Sequence, residues 1–300
     1  MEDKQMKIAI VVDSTAYLSE EIKDKNNIYT ISLNTIFGEE TYREGKDITT
    51  EEFYDKMRDF DGLPSTSQPS IGDYILLLEE LNKEGYTDVI SFHLSAGISG
   101  TCQNALSAAQ SVEGINVHVV DSEIACTPQG LLALYAAQNK DTQPIDELLD
   151  ELNTLKQKEH MNAYFIVNDL TNLQKGGRLS NAQAFVGGLL RIKPILEFED
   201  GKIVAKGKIR TMKKAQDKVI QLVKSDFEKN GHSDKEMVIT IIHGNDEAAA
   251  DAWIEELKED SVFSKTTFLK SYFGPVIGTH LGEEALGLGY SDMKLDLTGF

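Results

Sequence analysis

Two serines lie in a glycine-rich turn that follows an apolar, strand-like run of this sequence. Residues 94–101 read Leu-Ser-Ala-Gly-Ile-Ser-Gly-Thr, and they come between the apolar run at 89–92 and a helix predicted to begin near Thr101. A strand, a Gly/Ser turn and a helix N-terminus together direct hydroxyl and backbone N–H groups at one point, where they bind an anion. The segment therefore predicts an anion site with Ser95 and Ser99 as donors.

A second hydroxyl-rich segment, Thr66-Ser67-Gln68, lies between Pro64 and Pro69 and is predicted to be a fixed loop rather than a strand or a helix. Neutral hydroxyl donors suit a carboxylate that is held and later released, because a charged partner would bind it more strongly. Loops beyond the carboxyl ends of strands are where open α/β sheets bind ligands. The alternative is that these side chains only cap helices and tighten turns.

Histidine and arginine occur in two further glycine-rich segments. His280 lies near the end of segment 274–282, which is predicted to be a glycine-punctuated strand or turn in which an imidazole can meet a ligand. Arg178 follows Gly176 and Gly177, an arrangement that can expose a guanidinium to a phosphate or a carboxylate. The alternatives are a hydrogen-bonded structural histidine, and a helix C-cap followed by a solvated arginine.

The elements that must position these side chains alternate between strands and helices in the first half of the chain. Apolar, β-branched runs predict strands at 7–13, 29–33, 87–92 and 117–121, with helices between and after them. Strands that alternate with helices pair in parallel through right-handed crossovers. Residues 1–160 are therefore predicted to form a doubly wound α/β domain with a parallel sheet, which carries the hydroxyl-rich loops.

The pattern changes after about residue 160. A strand is predicted at 163–167, and the apolar runs at 194–198 and 202–205 predict a hairpin. A helix, a strand, a helix and a strand follow. Hairpin and βαβ units in succession indicate a mixed sheet, so residues 161–300 are predicted to form a second domain. The predicted fold class is thus α/β, with two domains.

Charge limits the classes of partner. The 300 residues include 30 basic and 49 acidic side chains, for a formal net charge of −19. Such a surface repels nucleic acid and anionic membranes, so we expect no nucleic-acid partner and at most transient membrane contact. A basic tract stands out from this background and is either a solvated face or a docking patch. Its members are Lys202, Lys206, Lys208, Arg210, Lys213 and Lys214.

Several other site classes find no support in the sequence. Cys102 and Cys126 have no CxxC or Cys/His ligand spacing, so we predict two buried thiols and no metal site. The chain contains no phosphate-binding G-x-x-x-x-G-K-[ST] loop, and Gly100 directly after Ser99 rules out the G-x-S-x-G nucleophile turn. Neither a signal peptide nor an apolar run of membrane-spanning length is present, which predicts a cytoplasmic protein.

Four ordered segments resemble motifs of the DegV family. They are the loop at 66–70, the turn at 98–101, the Lys-Gly-Gly-Arg turn at 175–178 and the tract at 274–282. The opening strand, which ends in Val-Asp-Ser-Thr, is also similar, and the resemblance covers essentially the whole chain. Two departures are Ala96, where the family commonly has a serine, and Cys102, where an aromatic residue is usual.

This resemblance implies an α/β/α domain and a mixed-sheet domain, in agreement with the division above. It also implies that the chain binds a long-chain fatty acid and has no catalytic residues or cofactor of its own. Thr66, Ser99 and His280 would hold the carboxylate, with Ser95 as a second-choice serine, and the acyl tail would lie between the domains.

The family's best-understood members are the acyl-binding subunits of bacterial fatty acid kinase. The implied partner is therefore a dihydroxyacetone-kinase-like kinase subunit, which would phosphorylate the presented carboxylate to an acyl-phosphate. Arg178 and Arg210 resemble positions near the head group or on the surface that faces the kinase. Two other hypotheses remain open: a stand-alone hydrolase or phosphotransferase that uses Ser99 and His280, and a lipid-sensing regulatory module.

Overall fold

The computed structural model describes residues 6–168, 170–180 and 192–300. The strands are β1 (Ile8–Asp13), β2 (Ile28–Ile31), β3 (Asn34–Phe37), β4 (Glu40–Arg43), β5 (Ser65–Ser67), β6 (Asp88–His93), β7 (Asn116–Asp121), β8 (Met161–Ile166), β9 (Lys193–Glu199), β10 (Lys202–Ile209), β11 (Met237–His243), β12 (Thr266–Tyr272) and β13 (Leu286–Ser291). The helices are α1 (Glu20–Asn26), α2 (Thr50–Asp59), α3 (Ile71–Lys83), α4 (Thr101–Ala109), α5 (Thr127–Asn139), α6 (Ile145–Leu155), α7 (Thr171–Lys175), α8 (Met212–Asn230), α9 (Glu247–Lys258) and α10 (Pro275–Leu281).

The first sheet has the strand order β2-β1-β6-β7, and all of its pairs are parallel. Every residue of β1 and of β6 is buried, as expected for parallel strands that are covered on both faces. Helices α3 and α4 cover one face through residues such as Tyr74 and Ala105, and α5 lies on the other. The predicted parallel sheet is confirmed.

The second sheet has the order β10-β9-β8-β13-β11-β12. Among the strand pairs that the structure describes in this sheet, only β11 and β12 are parallel, so the predicted mixed sheet is confirmed, as is the β9–β10 hairpin. Helices α8 and α9 pack on one face, where Phe227 and Trp253 are buried. Strand β13, which was not predicted, lies inside the sheet and is buried at every position.

Helix α5 lies between the two sheets. Residues 127–134 are all buried, and the helix contacts β1 and β6 on one side and β8, β11 and β13 on the other. A helix that is apolar on every face is expected only in such an enclosed place. One hydrophobic core therefore runs from the first sheet to the second. The domain boundary near residue 160 falls between α6 and β8, and the division itself stays a prediction.

A small antiparallel sheet of order β4-β3-β5 corrects one expectation. The prediction that residues 64–70 form a loop without strand structure is wrong, because Ser65–Ser67 form β5 and Thr66 pairs with Thr35. The pairing partner lies some thirty residues upstream. No periodicity within a three-residue strand can reveal such a partner. Strands β3 and β4 were also missed.

The expectation of a strand or turn at 274–282 is wrong as well. Residues Pro275–Leu281 form α10, with Gly274 as N-cap and Pro275 in the first turn. Proline is tolerated there because the N–H it lacks has no partner within the helix. Within the described ranges, no helix combines the length and the apolar character needed to cross a lipid bilayer.

Candidate functional site

A cavity of about 360 Å³ lies between the loops of the first sheet and the inner face of the second sheet. Its size falls within the usual range of small-molecule pockets. The side chains at one end of it, here called the polar end, are Thr66, Gln68, Ser99, Arg178 and His280. The rest of the wall is largely apolar and includes Leu33, Leu94, Ala163, Phe165, Phe198, Ile203, Ile242, Phe273, Val276, Ile277 and Leu288. The cavity thus joins a polar end to an apolar body.

Thr66 and His280 contact each other directly at the polar end. Thr66 is brought there by the pairing of β5 with β3, and His280 by the last turn of α10. The Thr66 Oγ1 and His280 Nε2 atoms are 2.9 Å apart. Two segments that are more than two hundred residues apart in sequence therefore supply one hydrogen-bonded pair.

Burial and the nearby positive charge of Arg178 lower the pKa of His280 to about 4. The ring is therefore neutral at pH 7, with one nitrogen as donor and the other as acceptor. In the tautomer that carries its proton on Nε2, His280 donates to Thr66 Oγ1. The Thr66 hydroxyl then directs its own proton at whatever occupies the cavity.

Ser99 lies at the N-terminus of α4. Its Oγ is 2.8 Å from Thr101 Oγ1 and accepts a hydrogen bond from the Thr101 N–H at 3.3 Å. Gly100 is the N-cap and has no side chain with which to satisfy the first-turn N–H groups. Both Ser99 and Gly100 line the cavity, so the positive end of the helix dipole faces its polar end.

Arg178 is held against the wall by backbone oxygens. Its Nε donates to the Ile98 carbonyl at 3.3 Å, and a terminal N–H donates to the Gly176 carbonyl. The helix C-cap considered for this turn is confirmed, since α7 ends at Lys175 with Gly176 as C-cap. The arginine, however, is partly buried and lines the cavity instead of pointing into solvent.

Ser95 and Arg210 lie outside the cavity. Ser95 is fully buried, and its Oγ donates to the Gly201 carbonyl at 2.6 Å and accepts from the Gly97 N–H at 3.1 Å. It therefore fastens the 94–101 turn to the β9–β10 hairpin. Arg210 is exposed beyond the end of β10. Of the six residues predicted for the site, the cavity therefore brings four together: Thr66, Ser99, Arg178 and His280. Ser95 and Arg210 are not among them.

The hydrogen bonds of the described residues do not form a catalytic triad at the cavity. Ser99 bonds Thr101 and His280 bonds Thr66, so neither bond joins the serine to the histidine. An Asp–His–Ser array does exist inside the first sheet, where Asp13, His93 and Ser91 are all fully buried. Burial alone would raise the pKa of Asp13, but the adjacent His93, 3.3 Å away, and hydrogen bonds from Thr15 and the Leu94 N–H lower it. None of its three side chains lines the cavity that holds Thr66 and His280.

The apolar residues that line the cavity were not identified from the sequence. Phe165 and Phe198 contact each other with ring centroids 6.0 Å apart, and both line the cavity. Gly287 in β13 also lines it, and a Cβ there would lie 2.9 Å from Phe273 Cζ. A glycine inside an apolar strand often marks a close approach. The alternation Leu-Gly-Leu-Gly at 286–289 was therefore a usable signal.

Known proteins resemble this chain over nearly all of its length. A DegV domain-containing protein of Listeria monocytogenes is 46% identical over 286 residues, which are 95% of this chain and 98% of that protein. The crystal structure of DegV, a fatty acid binding protein from Bacillus subtilis, is 44% identical with a TM-score of 0.87 and covers 96% of this chain and 100% of its own. A fatty acid binding DegV family protein from Streptococcus agalactiae is 35% identical with a TM-score of 0.86, over 97% of this chain and 100% of its own.

The family profile described as "Uncharacterised protein, DegV family" matches residues 7–292. That span contains all the strands described above and the whole polar end of the cavity. The chain belongs to the DegV family.

Proposed function

We propose that this protein binds a long-chain fatty acid in the cavity and presents its carboxylate to a partner kinase. The observation that carries the proposal is the cavity itself, in which an apolar body ends at a cluster of hydroxyl, imidazole and guanidinium groups. A fatty acid has the same division between a long apolar tail and one anionic head. The similar structures from Bacillus subtilis and Streptococcus agalactiae, both described as fatty-acid-binding proteins, support this choice of ligand.

The head group is proposed to bind at Thr66, Ser99 and His280. A carboxylate removed from water needs several donors, because leaving it unpaired costs several kcal/mol. Thr66 donates when His280 carries its proton on Nε2, and Ser99 adds a hydroxyl at the N-terminus of α4. Arg178 supplies positive charge from the adjoining wall.

The tail is proposed to lie along the apolar body, between the loops of the first sheet and the second sheet. Each buried methylene contributes about 0.8 kcal/mol to binding. The tail therefore supplies most of the affinity, and the polar end sets which way round the ligand lies.

The polar end of the cavity lies near the protein surface, which supports presentation to a kinase. Gln68 and Gly100 line the cavity and are exposed, so the carboxylate would lie close to the surface. The exposed residues Lys202, Lys208 and Arg210 lie on or beside the edge strand β10, whose hairpin turn packs against the loop that carries Ser99. In a chain with a net charge of −19, this basic edge is a suitable docking surface for an acidic face of the kinase. The kinase would supply ATP and catalysis, in the cytoplasm.

Binding is tested with protein freed of lipid. Palmitate should bind the wild type, and the double variant Thr66→Ala with Ser99→Ala should bind about tenfold to a hundredfold more weakly, since two hydrogen bonds to a charged group are lost. Titration calorimetry measures the affinities, and native mass spectrometry of protein purified from bacteria should show a bound fatty acid. Ser65→Ala, at the preceding position of β5 and outside the cavity lining, is the matched control and should leave binding nearly unchanged.

Three outcomes would count against this function. Wild-type protein that takes up no fatty acid would refute binding, and an unchanged affinity in the double variant would refute the head-group assignment. Turnover of an ester or acyl-phosphate by the isolated protein, abolished by His280→Ala, would favour the hydrolase instead. Acyl-phosphate formed only when protein, kinase and ATP are combined would support presentation.

A further inference from the structure

Glu44 is a buried carboxylate directly after β4, and it is only 3% exposed. Its Oε1 accepts hydrogen bonds from the Tyr17 hydroxyl and the Val276 N–H, each at 2.9 Å. Its Oε2 accepts from Ser14 Oγ at 2.6 Å. Within the part of the chain that the structure describes, no ion pair joins Glu44 to a basic group. Burying a carboxylate without an ion-pair partner is costly, and the three hydrogen bonds offset part of that cost.

Glu44 holds the N-terminus of α10, the helix that carries His280. The N-cap Gly274 has no side chain to bond the first-turn N–H groups, and Glu44 accepts the Val276 N–H in its place. The approach is close, since a Cβ on Gly274 would lie 2.9 Å from Glu44 Oε1. A carboxylate also interacts favourably with the positive end of a helix.

The other end of α10 is held by the same small sheet. His280, in the last turn of α10, contacts Thr66 in β5, while Glu44 follows β4 on the opposite side of β3. The small sheet therefore holds α10 at both ends. The Glu44 carboxylate contacts its N-terminus, and the Thr66 hydroxyl contacts His280 in its last turn.

We propose that Glu44 is a positioning residue of the fatty-acid site. Its carboxylate fixes the N-terminus of α10 and so places His280 against Thr66. Neutralising Glu44 therefore weakens the binding of the ligand carboxylate. This inference rests on the fatty-acid-binding function proposed above.

The position of Glu44 also makes the binding of the ligand carboxylate depend on pH. Burial raises the pKa of Glu44 to about 7, and the charge of Asp13 adds to this effect. A second, polar cavity of about 500 Å³ reaches Glu44 and gives protons a route to it. Glu44 accepts all three of its hydrogen bonds, from Ser14, Tyr17 and the Val276 N–H, which is the pattern of an anionic carboxylate. Protonation of Oε2 would reverse the bond to Ser14, and the anionic form predominates above about pH 7.

The buried titratable groups around Glu44 keep the same charge near pH 7. The pKa values of Tyr17, Tyr54 and Cys126 are raised, chiefly by burial, so these groups stay neutral near pH 7. The pKa of Tyr272 is also raised by burial, and that of Asp13 is lowered. Glu20, Lys23, Asp24 and Lys46 face Glu44 across the polar cavity. Of the buried neighbours named here, Glu44 alone has a pKa near neutrality.

The test compares palmitate with its methyl ester, which has the same tail and no carboxylate. Glu44→Gln keeps the shape of the side chain and an acceptor for the Val276 N–H but cannot accept from Ser14. At about pH 8 the variant should bind palmitate about fivefold more weakly than wild type and bind the ester equally well. The preference of wild type for palmitate over the ester should fall between about pH 8 and pH 6, and that of the variant should not. Glu40→Gln, an exposed carboxylate of β4 paired with Lys56, is the control and should match wild type.

Two results would overturn the inference while wild type binds palmitate normally. One is an equal loss of affinity for palmitate and ester, which would mean that Glu44 only stabilises the fold. The other is a Glu44→Gln variant that keeps the wild-type preference at every pH. If wild type binds neither ligand, the proposed function fails and this inference fails with it.

Discussion

The polar side chains of the cavity owe their chemistry to neighbours from distant parts of the chain. His280 is neutral at pH 7 because it is buried and because Arg178 lies nearby. Arg178 itself is held by the carbonyls of Ile98 and Gly176. A neutral imidazole beside Thr66 orients a hydroxyl without adding a charge, which suits a ligand that must later be released.

The lowered pKa of His280 can be measured directly. In a ¹³C/¹H NMR titration of its imidazole, the midpoint should lie near 4, because the buried ring resists protonation. Since the folded pKa is below the value of the unfolded chain, this histidine stabilises the fold above pH 6.5 and destabilises it progressively as the pH falls toward about 4.

Two variants identify the signal. His280→Asn should remove the shifted resonance, whereas His118→Asn, in β7 and outside the cavity, should remove a different one. A His280 midpoint at or above 6.5 would contradict the assignment.

At the scale of elements, the position of α10 depends on its close contact with α2. Gly278 faces the rings of α2, and a Cβ at this position would lie 2.7 Å from the Tyr54 hydroxyl and 2.9 Å from Phe53 Cε1. Both rings are fully buried, and the Tyr54 hydroxyl also donates to the Phe273 carbonyl at 2.8 Å. The neighbours therefore have little room to move, and α10 can lie here only without a side chain at this position.

Gly278→Ala should destabilise the protein by about 1–3 kcal/mol, because overpacking outweighs the gain in helix propensity. The free energy of unfolding in urea measures this. Gly72→Ala in α3 is the matched control, since its Cβ would have no contact closer than 3.9 Å. That variant should be neutral or more stable by up to about 1 kcal/mol. Stabilisation by Gly278→Ala would show that α10 and α2 are not in close contact.

At the scale of the whole molecule, the core and the cavity both connect the two large sheets. Helix α5 packs on both, and a single buried cluster extends from Ile10 in β1 to Ile242 in β11. The cavity wall likewise combines Leu94 from the first sheet's loops with Phe165 and Phe198 from the second sheet. A ligand in the cavity would therefore contact both parts at once.

We expect the protein to unfold in one transition that bound fatty acid shifts as a unit. Trp253, the single tryptophan, reports on the second sheet by fluorescence, and circular dichroism reports on both. Their midpoints should coincide, and fatty acid at about a hundred times its dissociation constant should add about 2.7 kcal/mol to the free energy of unfolding. Separate midpoints, or a ligand shift in only one probe, would show that the two parts unfold independently.

The strands and helices with long, regular patterns were predictable from sequence. The buried strands β1 and β6, the hairpin β9–β10 and the helices α3 and α8 each contain their own periodicity, so local burial was enough to identify them. The three short strands of the small sheet and α10 were not identified, because tertiary partners, rather than their own composition, stabilise them. Strand β13 was not predicted for a related reason. Its glycines allow the close approach of Phe273 and Pro128, which are distant in sequence.

The sequence by itself determined the α/β class, the family and the chemical types at the site: hydroxyls, an imidazole and a guanidinium in glycine-rich turns. Only the tertiary structure decided which of them meet. Thr66 and His280 are neighbours because a sheet edge and a short helix bring them together, while Ser95 is turned into the hairpin contact. The physical reason is that hydrogen bonds and burial act through space, so neither the pKa of His280 nor the role of Glu44 can be obtained from sequence spacing.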